Sequence, residues 1–542
     1  MPVNILYNVE LNIGRNVYLY PMRDQRLNTA TPPSSDIIIQ KIRKNCEEII
    51  SFCAESQEDV LFYKFEKALT PRIYEFACLC IELFLMRHHE QFSCASWIKA
   101  GFYAQPSPIS RTLKTTFGCV KYWRTYLCNK GKSAGGFYPL DGVLGITSDG
   151  FSAVVISLCC KLSTRMSFRS SKLIFSSFFG WSPSTEAIEH FVLGAGRLGS
   201  AYMEIVPPPE GDGEILVIEM DGKATPTATE EELEKRRGPR EKKSCDCSCQ
   251  RHRGKATRQN RKRKRRKRGD KSKNGRSTTL VVMYTLKADS DGRLHGPLNK
   301  VIWGSYACRR VMVSWARRQA TKRGFPLETS KQIHIVVDGE VCLREQLSRL
   351  FPKATFSLDI RHLEEKVWKV GRTFEKEGSD ELDQWVESKR TLLYEGRAKE
   401  LLEQLKELRK SLSRRAKRDD AKRNALMALI NYMEKRLDMM KYKEYVEKDL
   451  PIASGIVEGA ARYVVGERLD CAGMRWIPGR AEALLHLRCI ELNGDWDRFF
   501  QWAYDGWVEK LRQSKKVLIR TNQPIDLLSS SNYTSTQSRN VA

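Results

Sequence analysis

Ile215-Leu-Val-Ile-Glu-Met-Asp221 is a short, almost unbroken apolar run with an acidic residue at its end and Gly222 behind it. A run of this length, rich in β-branched residues and closed by a turn residue, predicts a strand. The same design returns in Ile333-His-Ile-Val-Val-Asp338, again followed by glycine. Between the two lie strand-like runs at 278–287 and 298–304 and a helical pattern at 308–322. A helical pattern at 340–350 and a strand at 354–359 follow.

Three strands, helix, strand, helix, strand is the element order of an RNase-H-like fold, so an α/β protein with a mixed sheet is expected. In that fold the fourth strand lies beside the first, which would bring Asp338 next to Asp221. Asp359 closes the fifth strand, one step farther away. A third carboxylate, Glu458, opens a helix in Pro451-Ile-Ala-Ser-Gly-Ile-Val-Glu458. Carboxylates that converge from separate elements suit hard divalent cations, because Mg²⁺ takes one or two of them and leaves its other positions to water and substrate phosphate. Asp221, Asp338 and Glu458 are therefore the candidate catalytic and Mg²⁺- or Mn²⁺-binding residues, with Asp359 and His362 supporting. Local chemistry offers a competing account: Asp-Gly is a good turn dipeptide at both aspartates. Glu458 has no such account, since a capping box from Ser454 would need its acid at 457, where Val stands. A surface ion pair with Arg462 is what remains, and it is worth only a few tenths of a kcal/mol.

The chain has 542 residues, 41% hydrophobic, enough for several domains. Residues 1–109 are expected as a helical amino-terminal domain and 110–148 as a small β-hairpin module. Residues 149–206 are expected as a helix-turn-helix-like DNA-binding module, with a helix opening near Pro183-Ser184-Thr185-Glu186 and the proline just inside it. The RNase-H-like core would follow in two parts, 207–374 and 451–510. A helical insertion domain at 375–450 separates them, marked by Leu401, Leu405, Leu408 and Leu412 and by Leu426, Leu429, Ile430, Met433 and Leu437. Residues 511–542, rich in Ser, Thr and Asn, are expected as a disordered tail.

Lys and Arg number 92 against 65 Asp and Glu, a net charge of +27 that calls for an extended polyanion, most simply nucleic acid. Much of the excess sits in an insertion at 225–277. Arg261, Lys262, Arg263, Lys264, Arg265, Arg266, Lys267 and Arg268 are consecutive, and 251–276 holds fifteen basic residues against Asp270 alone. Such a stretch must be solvated or neutralised by phosphates. A nuclear-localisation-like tract or a solvated loop would share this composition. Just before it, Cys245, Cys247, Cys249 and His252 could enclose a structural Zn²⁺, although C-x-C is tighter than common zinc spacings. The sixteen cysteines, with no secretion signal, read otherwise as buried thiols, and the protein as intracellular with no membrane span. Gly194-Ala-Gly196-Arg-Leu-Gly199 matches a dinucleotide fingerprint in letters but follows a helix, so it is rejected. Trp368 and Trp385 could stack on an unpaired base, with core packing the competing role.

The carboxy-terminal third carries specific motifs: Asn431-Tyr-Met-Glu-Lys-Arg-Leu-Asp-Met-Met-Lys-Tyr442, Leu450-Pro-Ile-Ala-Ser-Gly-Ile-Val-Glu458, Arg468-Leu469, Gly473-Met-Arg-Trp476 and Leu485-Leu-His-Leu-Arg488. Together with Phe137-Tyr-Pro-Leu-Asp141, Leu144-Gly145, Met220-Asp-Gly222, Val337-Asp-Gly339 and Leu358-Asp-Ile-Arg-His362, they resemble bacterial insertion-sequence transposases of the Kra type, a DDE group. The resemblance spans about 110–500. It implies a DNA transposase that binds the terminal repeats of a mobile element, cuts its ends and joins them to target DNA, works as a homo-oligomer in the active complex, and uses Asp221, Asp338 and Glu458 as its triad. Asp359 and His362 match the C/D-x-x-H motif of related transposases. Two residues depart from the pattern: Cys128 is followed by Asn-Lys-Gly-Lys where paired cysteines are usual, and Gly459 replaces the usual Ser. A non-catalytic nucleic-acid-binding derivative and an RNase-H-like nuclease are the alternatives.

Overall fold

The computed structural model describes residues 31–55, 61–129, 136–237, 275–413, 416–471 and 474–514. The Cys245–His252 cluster, the Arg261–Arg268 run and residues 515–542 lie outside them. The chain forms two compact units, one of residues 1–156 and 504–542 and one of residues 157–503.

In the first unit, helices Ser35–Ala54 and Phe62–Gln91 precede four short strands: β1 (Phe102–Ala104), β2 (Ile109–Thr115), β3 (Gly118–Arg124) and β4 (Leu127–Asn129). β2 and β3 form an antiparallel hairpin, and β1 pairs with β4. Leu85 of the second helix is buried with Leu113, Val120 and Tyr122 of the hairpin, so helices and hairpin share a core across the expected boundary at 109. The reason is that a two-stranded hairpin cannot cover its own apolar face. Buried Asp141 accepts hydrogen bonds from Tyr122 at 2.8 Å and from Arg111 and Arg124, neutralising a carboxylate that burial would otherwise penalise. Helix Trp496–Ser514 runs past 511, where the tail was expected to begin. Arg512 donates to the Gly142 carbonyl at 3.0 Å and ties that end down.

The second unit is built on one mixed sheet of five strands: β5 (Ile215–Thr225), β6 (Arg276–Ala288), β7 (Leu294–Ser305), β8 (Ile333–Val337) and β9 (Thr355–Leu358). Their order in the sheet is β7-β6-β5-β8-β9. β5, β6 and β7 are antiparallel neighbours, whereas β8 runs parallel to both β5 and β9. Helix Arg309–Lys322 joins β7 to β8, and helix Val341–Leu350 joins β8 to β9, as parallel pairing requires a crossover. All five residues of β8 are buried, which explains why it is apolar except for His334.

β5 corrects one expectation. Asp221 does not end the strand, which continues through Lys223-Ala-Thr225 because β6 keeps pairing with it as far as Thr225 opposite Arg276. Thr278 Oγ1 donates to the Lys223 carbonyl at 2.8 Å and reinforces this polar extension.

Residues 157–205 belong to the same compact unit as the sheet and do not form a body of their own. Within them, Ser184 caps helix Thr185–Gly196 by accepting from the Ala187 N–H, and Pro183 stands one place before the cap instead of inside the helix. Two glycines of the rejected fingerprint, Gly196 and Gly199, serve packing. A Cβ at Gly196 would lie 2.2 Å from the Ala483 carbonyl oxygen, and one at Gly199 would lie 2.6 Å from His486 Cβ, so their absence lets helix Pro478–Leu492 close in. Helices Asp380–Tyr394, Ala398–Ser411, Asp420–Glu434 and Tyr442–Glu447 occupy the interval between β9 and Glu458. Trp385 stacks on Phe374 with ring centroids 6.3 Å apart, and a Cβ at Gly371 would touch it at 3.1 Å, so this tryptophan is packed within the protein.

His334 makes the sheet acid-sensitive. It is fully buried in β8, one ring nitrogen lies 2.8 Å from the Pro451 carbonyl, and burial pushes its pKa down to about 4. The folded protein thus holds the imidazole neutral where the unfolded chain would protonate it below about 6.5. Its contribution is fully present above that pH and is lost as the pH falls toward 4, by about 3 kcal/mol in total. Thermal midpoints of the wild type and His334→Phe, compared from pH 7 to 4, should converge as acid is added. Parallel curves would refute this.

Candidate functional site

β5, β8 and β9 point the same way, so their carboxyl ends meet at one edge of the sheet. Such edges are where α/β sheets place ligand-binding groups. The register sets the carboxylates in a row. Glu219 is level with Val336, so Asp221 continues to the level of Asp338; Val337 is level with Leu358, so Asp338 stands beside Asp359. Because side chains alternate along a strand, these three aspartates and Glu219 emerge on one face.

Asp221 and Asp338 are half-buried. Burial raises the Asp221 pKa, and the negative charge of Asp338 raises it further; the Gly222 N–H at 2.6 Å, His362 and Arg309 offset part of this. Asp338 follows the last residue of β8. Its Oδ1 accepts from the Glu340 N–H at 2.9 Å, and Gly339 turns the chain with φ +86°. Here the turn dipeptide and the candidate ligand coincide in one residue. Tyr432 donates to the Asp338 carbonyl at 2.8 Å and Arg436 Nε to that of Gly339 at 2.7 Å, so the inserted helix Asp420–Glu434 and the residues after it clamp the turn from outside. Arg309 forms an ion pair with Glu340 beside it.

Asp359, His362 and Glu458 are brought together, with one potential ligand atom from each lying within 4.8 Å of the others. Asp359 is fully buried and caps helix Ile360–Gly371 through the Arg361 N–H at 2.8 Å. Its other oxygen takes His362 Nδ1 at 2.7 Å and the Ser454 hydroxyl. Burial alone would raise its pKa; the hydrogen bonds from His362, Ser454 and Arg361 outweigh that and hold the group below its ordinary value. The same hydrogen bond to Asp359 raises His362 to about 9. Nδ1 is thereby oriented and the half-exposed imidazole is left with Nε2 to present.

Glu458 lies in the short helix Gly455–Ala460, with its side chain 42% exposed. Ser454 Oγ stands 3.2 Å from Glu458 Oε1 and His362 Nδ1 3.6 Å from it. Burial raises the Glu458 pKa, and the charge of Asp359 adds to the effect. The helix then passes into a π-helical segment, Ala461–Gly466, a form that clusters at functional sites.

One group was missed at the sequence level. Glu219, two places before Asp221, is fully buried, takes the Tyr284 hydroxyl at 2.8 Å and the Val457 N–H at 2.9 Å, and is pushed up to about 7 by burial. The available signal was an acid inside an otherwise apolar strand.

The donor set is oxygen-rich, with two carboxyls whose charge is disfavoured until a counter-ion arrives. It matches the chemistry of a hard divalent cation. Asp221, Asp338 and Glu458 have carboxylate capacity to spare, whereas both Asp359 oxygens are engaged by protein donors.

No known protein family matches the chain, and no curated protein does. Among solved structures the chain is similar to one described as the Drosophila P element transposase strand transfer complex, at 10% identity over 66% of this chain and 96% of that one. The TM-score is 0.26, and at that value the likeness fixes neither fold nor function. No helix among the described residues is long and apolar enough to cross a membrane.

Proposed function

We propose that this chain is a DNA transposase of the DDE type, with an RNase-H-like core, that cuts and joins the ends of a mobile element. The observation that carries the reading is the row of Asp221 and Asp338 at the carboxyl edge of adjacent parallel strands, with Glu458 arriving on a helix from the far side of a helical insertion. The sheet order β7-β6-β5-β8-β9 supports an RNase-H-like core, and the motif resemblance over about 110–500 supports the transposase class.

In this reading Asp221, Asp338 and Glu458 would hold the Mg²⁺ or Mn²⁺ ions. Bound divalent cations polarise the scissile phosphate and favour the deprotonated form of an attacking water or 3′-hydroxyl. The protein's own groups supply position and charge, since phosphoryl transfer needs little covalent help. Ser454 orients the Glu458 carboxylate. Asp359 fixes the His362 ring, which would offer a cation to substrate phosphate, and Arg309 lies within electrostatic range of Asp221. The Arg261–Arg268 run would add sequence-independent affinity for DNA, and the Cys245–His252 cluster could fold around Zn²⁺.

The test is incubation with Mg²⁺ or Mn²⁺ and duplexes carrying the inverted repeats that flank the gene. Expected products are nicked ends bearing a 3′-hydroxyl and molecules joined to a second duplex, neither of which forms when EDTA is present from the start. Cleavage of branched DNA without joining would identify a resolvase-like nuclease. DNA binding without any metal-dependent cutting would identify a non-catalytic binder.

A further inference from the structure

Helix Gly455–Ala460 carries Glu458 but lacks the cap its sequence offers. Ser454 occupies the N-cap position, yet its side chain caps no N–H; the hydroxyl is turned to Asp359 and Glu458 instead. The first N–H groups of a helix have no partner within it and need one from outside. Glu219 supplies it. Its Oε2 accepts the Val457 N–H at 2.9 Å across 238 residues of sequence, and its Oε1 is held by Tyr284 of β6 at 2.8 Å. Val457 immediately precedes Glu458, and Glu219 shares a strand and a face with Asp221.

We propose that Glu219 is a positioning residue: a remote cap that fixes the Glu458 helix to the strand bearing Asp221, and so sets the distance between two groups that grip the metal. The helix is short and runs directly into a π-helical segment, so it has few internal hydrogen bonds with which to hold its own register. The cap has to come from the sheet because the local one has been diverted to orient the site.

The inference rests on the metal-binding reading of this site, and the experiment separates the two. Mn²⁺ affinity of the full chain is measured by calorimetry or EPR without DNA, alongside thermal unfolding, for the wild type, Glu219→Gln, Glu219→Asp and Glu219→Leu. Gln keeps an acceptor of the same reach for the Val457 N–H, so its affinity should stay within about threefold of the wild type, against the tenfold or greater loss usual for a broken supporting contact. Asp keeps the charge but is one methylene too short, and Leu removes the acceptor. Both should weaken Mn²⁺ binding by about ten- to a hundredfold, the usual effect of losing a group that supports a metal ligand. The Asp variant serves if Leu fails to fold. Wild-type affinity in Glu219→Asp would overturn the inference, and so would a loss in Glu219→Gln as large as in Glu219→Asp, which would mark Glu219 as a ligand. A wild type that binds no Mn²⁺ would instead overturn the reading of the site itself.

Discussion

Asp221→Asn is expected to abolish metal-dependent cutting and joining of DNA while leaving the fold and DNA binding intact. Asn has nearly the same shape and keeps an oxygen for the Gly222 N–H, so the strand, which is held by backbone pairing with β6 and β8, has no reason to change. What is lost is the charge. Half-buried beside Asp338, Asp221 holds its negative charge at a cost that a divalent cation would repay, and an amide gives that cation far less. A bound cation contributes several kcal/mol of transition-state stabilisation, so the rate should fall about a thousandfold or more. Cleavage rates on end-bearing duplexes, together with binding isotherms and circular dichroism, measure each part. Cutting that persists in Asp221→Asn would end the case for this triad.

Gly339→Ala should damage fold and site together. Gly339 has φ +86°, a conformation that L side chains rarely adopt. A Cβ there would lie 2.6 Å from Arg436 Nε, 2.7 Å from Tyr432 Oη and 2.8 Å from Leu358 Cδ1. Two of these neighbours are the donors that clamp the Asp338–Gly339 turn, so they cannot yield without releasing it. Backbone strain and overpacking together should cost about 3 kcal/mol, a drop of several degrees in Tm. Asp338 would move with the turn, and Mn²⁺ affinity should fall as well. Wild-type stability in the alanine variant would show that the clamp is not tight.

Both predictions trace to features unequally visible in the chain. β6 and β8 and the helices around them announced themselves by apolar runs and helical spacing, because the mixed sheet is deeply buried and each crossover helix has one apolar face. Asp359 and His362 stand out in the sequence only as a strand-end acid and by likeness to a C/D-x-x-H motif; that Asp359 caps the next helix and holds His362 Nδ1 is seen only in the structure. The polar end of β5 was not legible: Asp221-Gly222 reads as a turn, and only cross-strand pairing to β6 keeps Lys223-Ala-Thr225 extended. Residues 149–206 read as a separate helix-turn-helix-like module because a turn and a helix start follow one another near Pro183. The partner for their apolar faces, helix Pro478–Leu492, lies hundreds of residues away.

By itself the sequence determined most of the buried strands and helices and singled out Asp221, Asp338 and Glu458, because periodicity and turn chemistry are local. The tertiary structure alone decided the register that sets Asp221 level with Asp338 on the neighbouring strands the element order had already paired, that Ser454 serves the site instead of its own helix, and that Glu219 takes over the cap. Those relations depend on sheet order, register and hydrogen bonds between residues as much as 238 positions apart, and no local pattern encodes a contact across that distance.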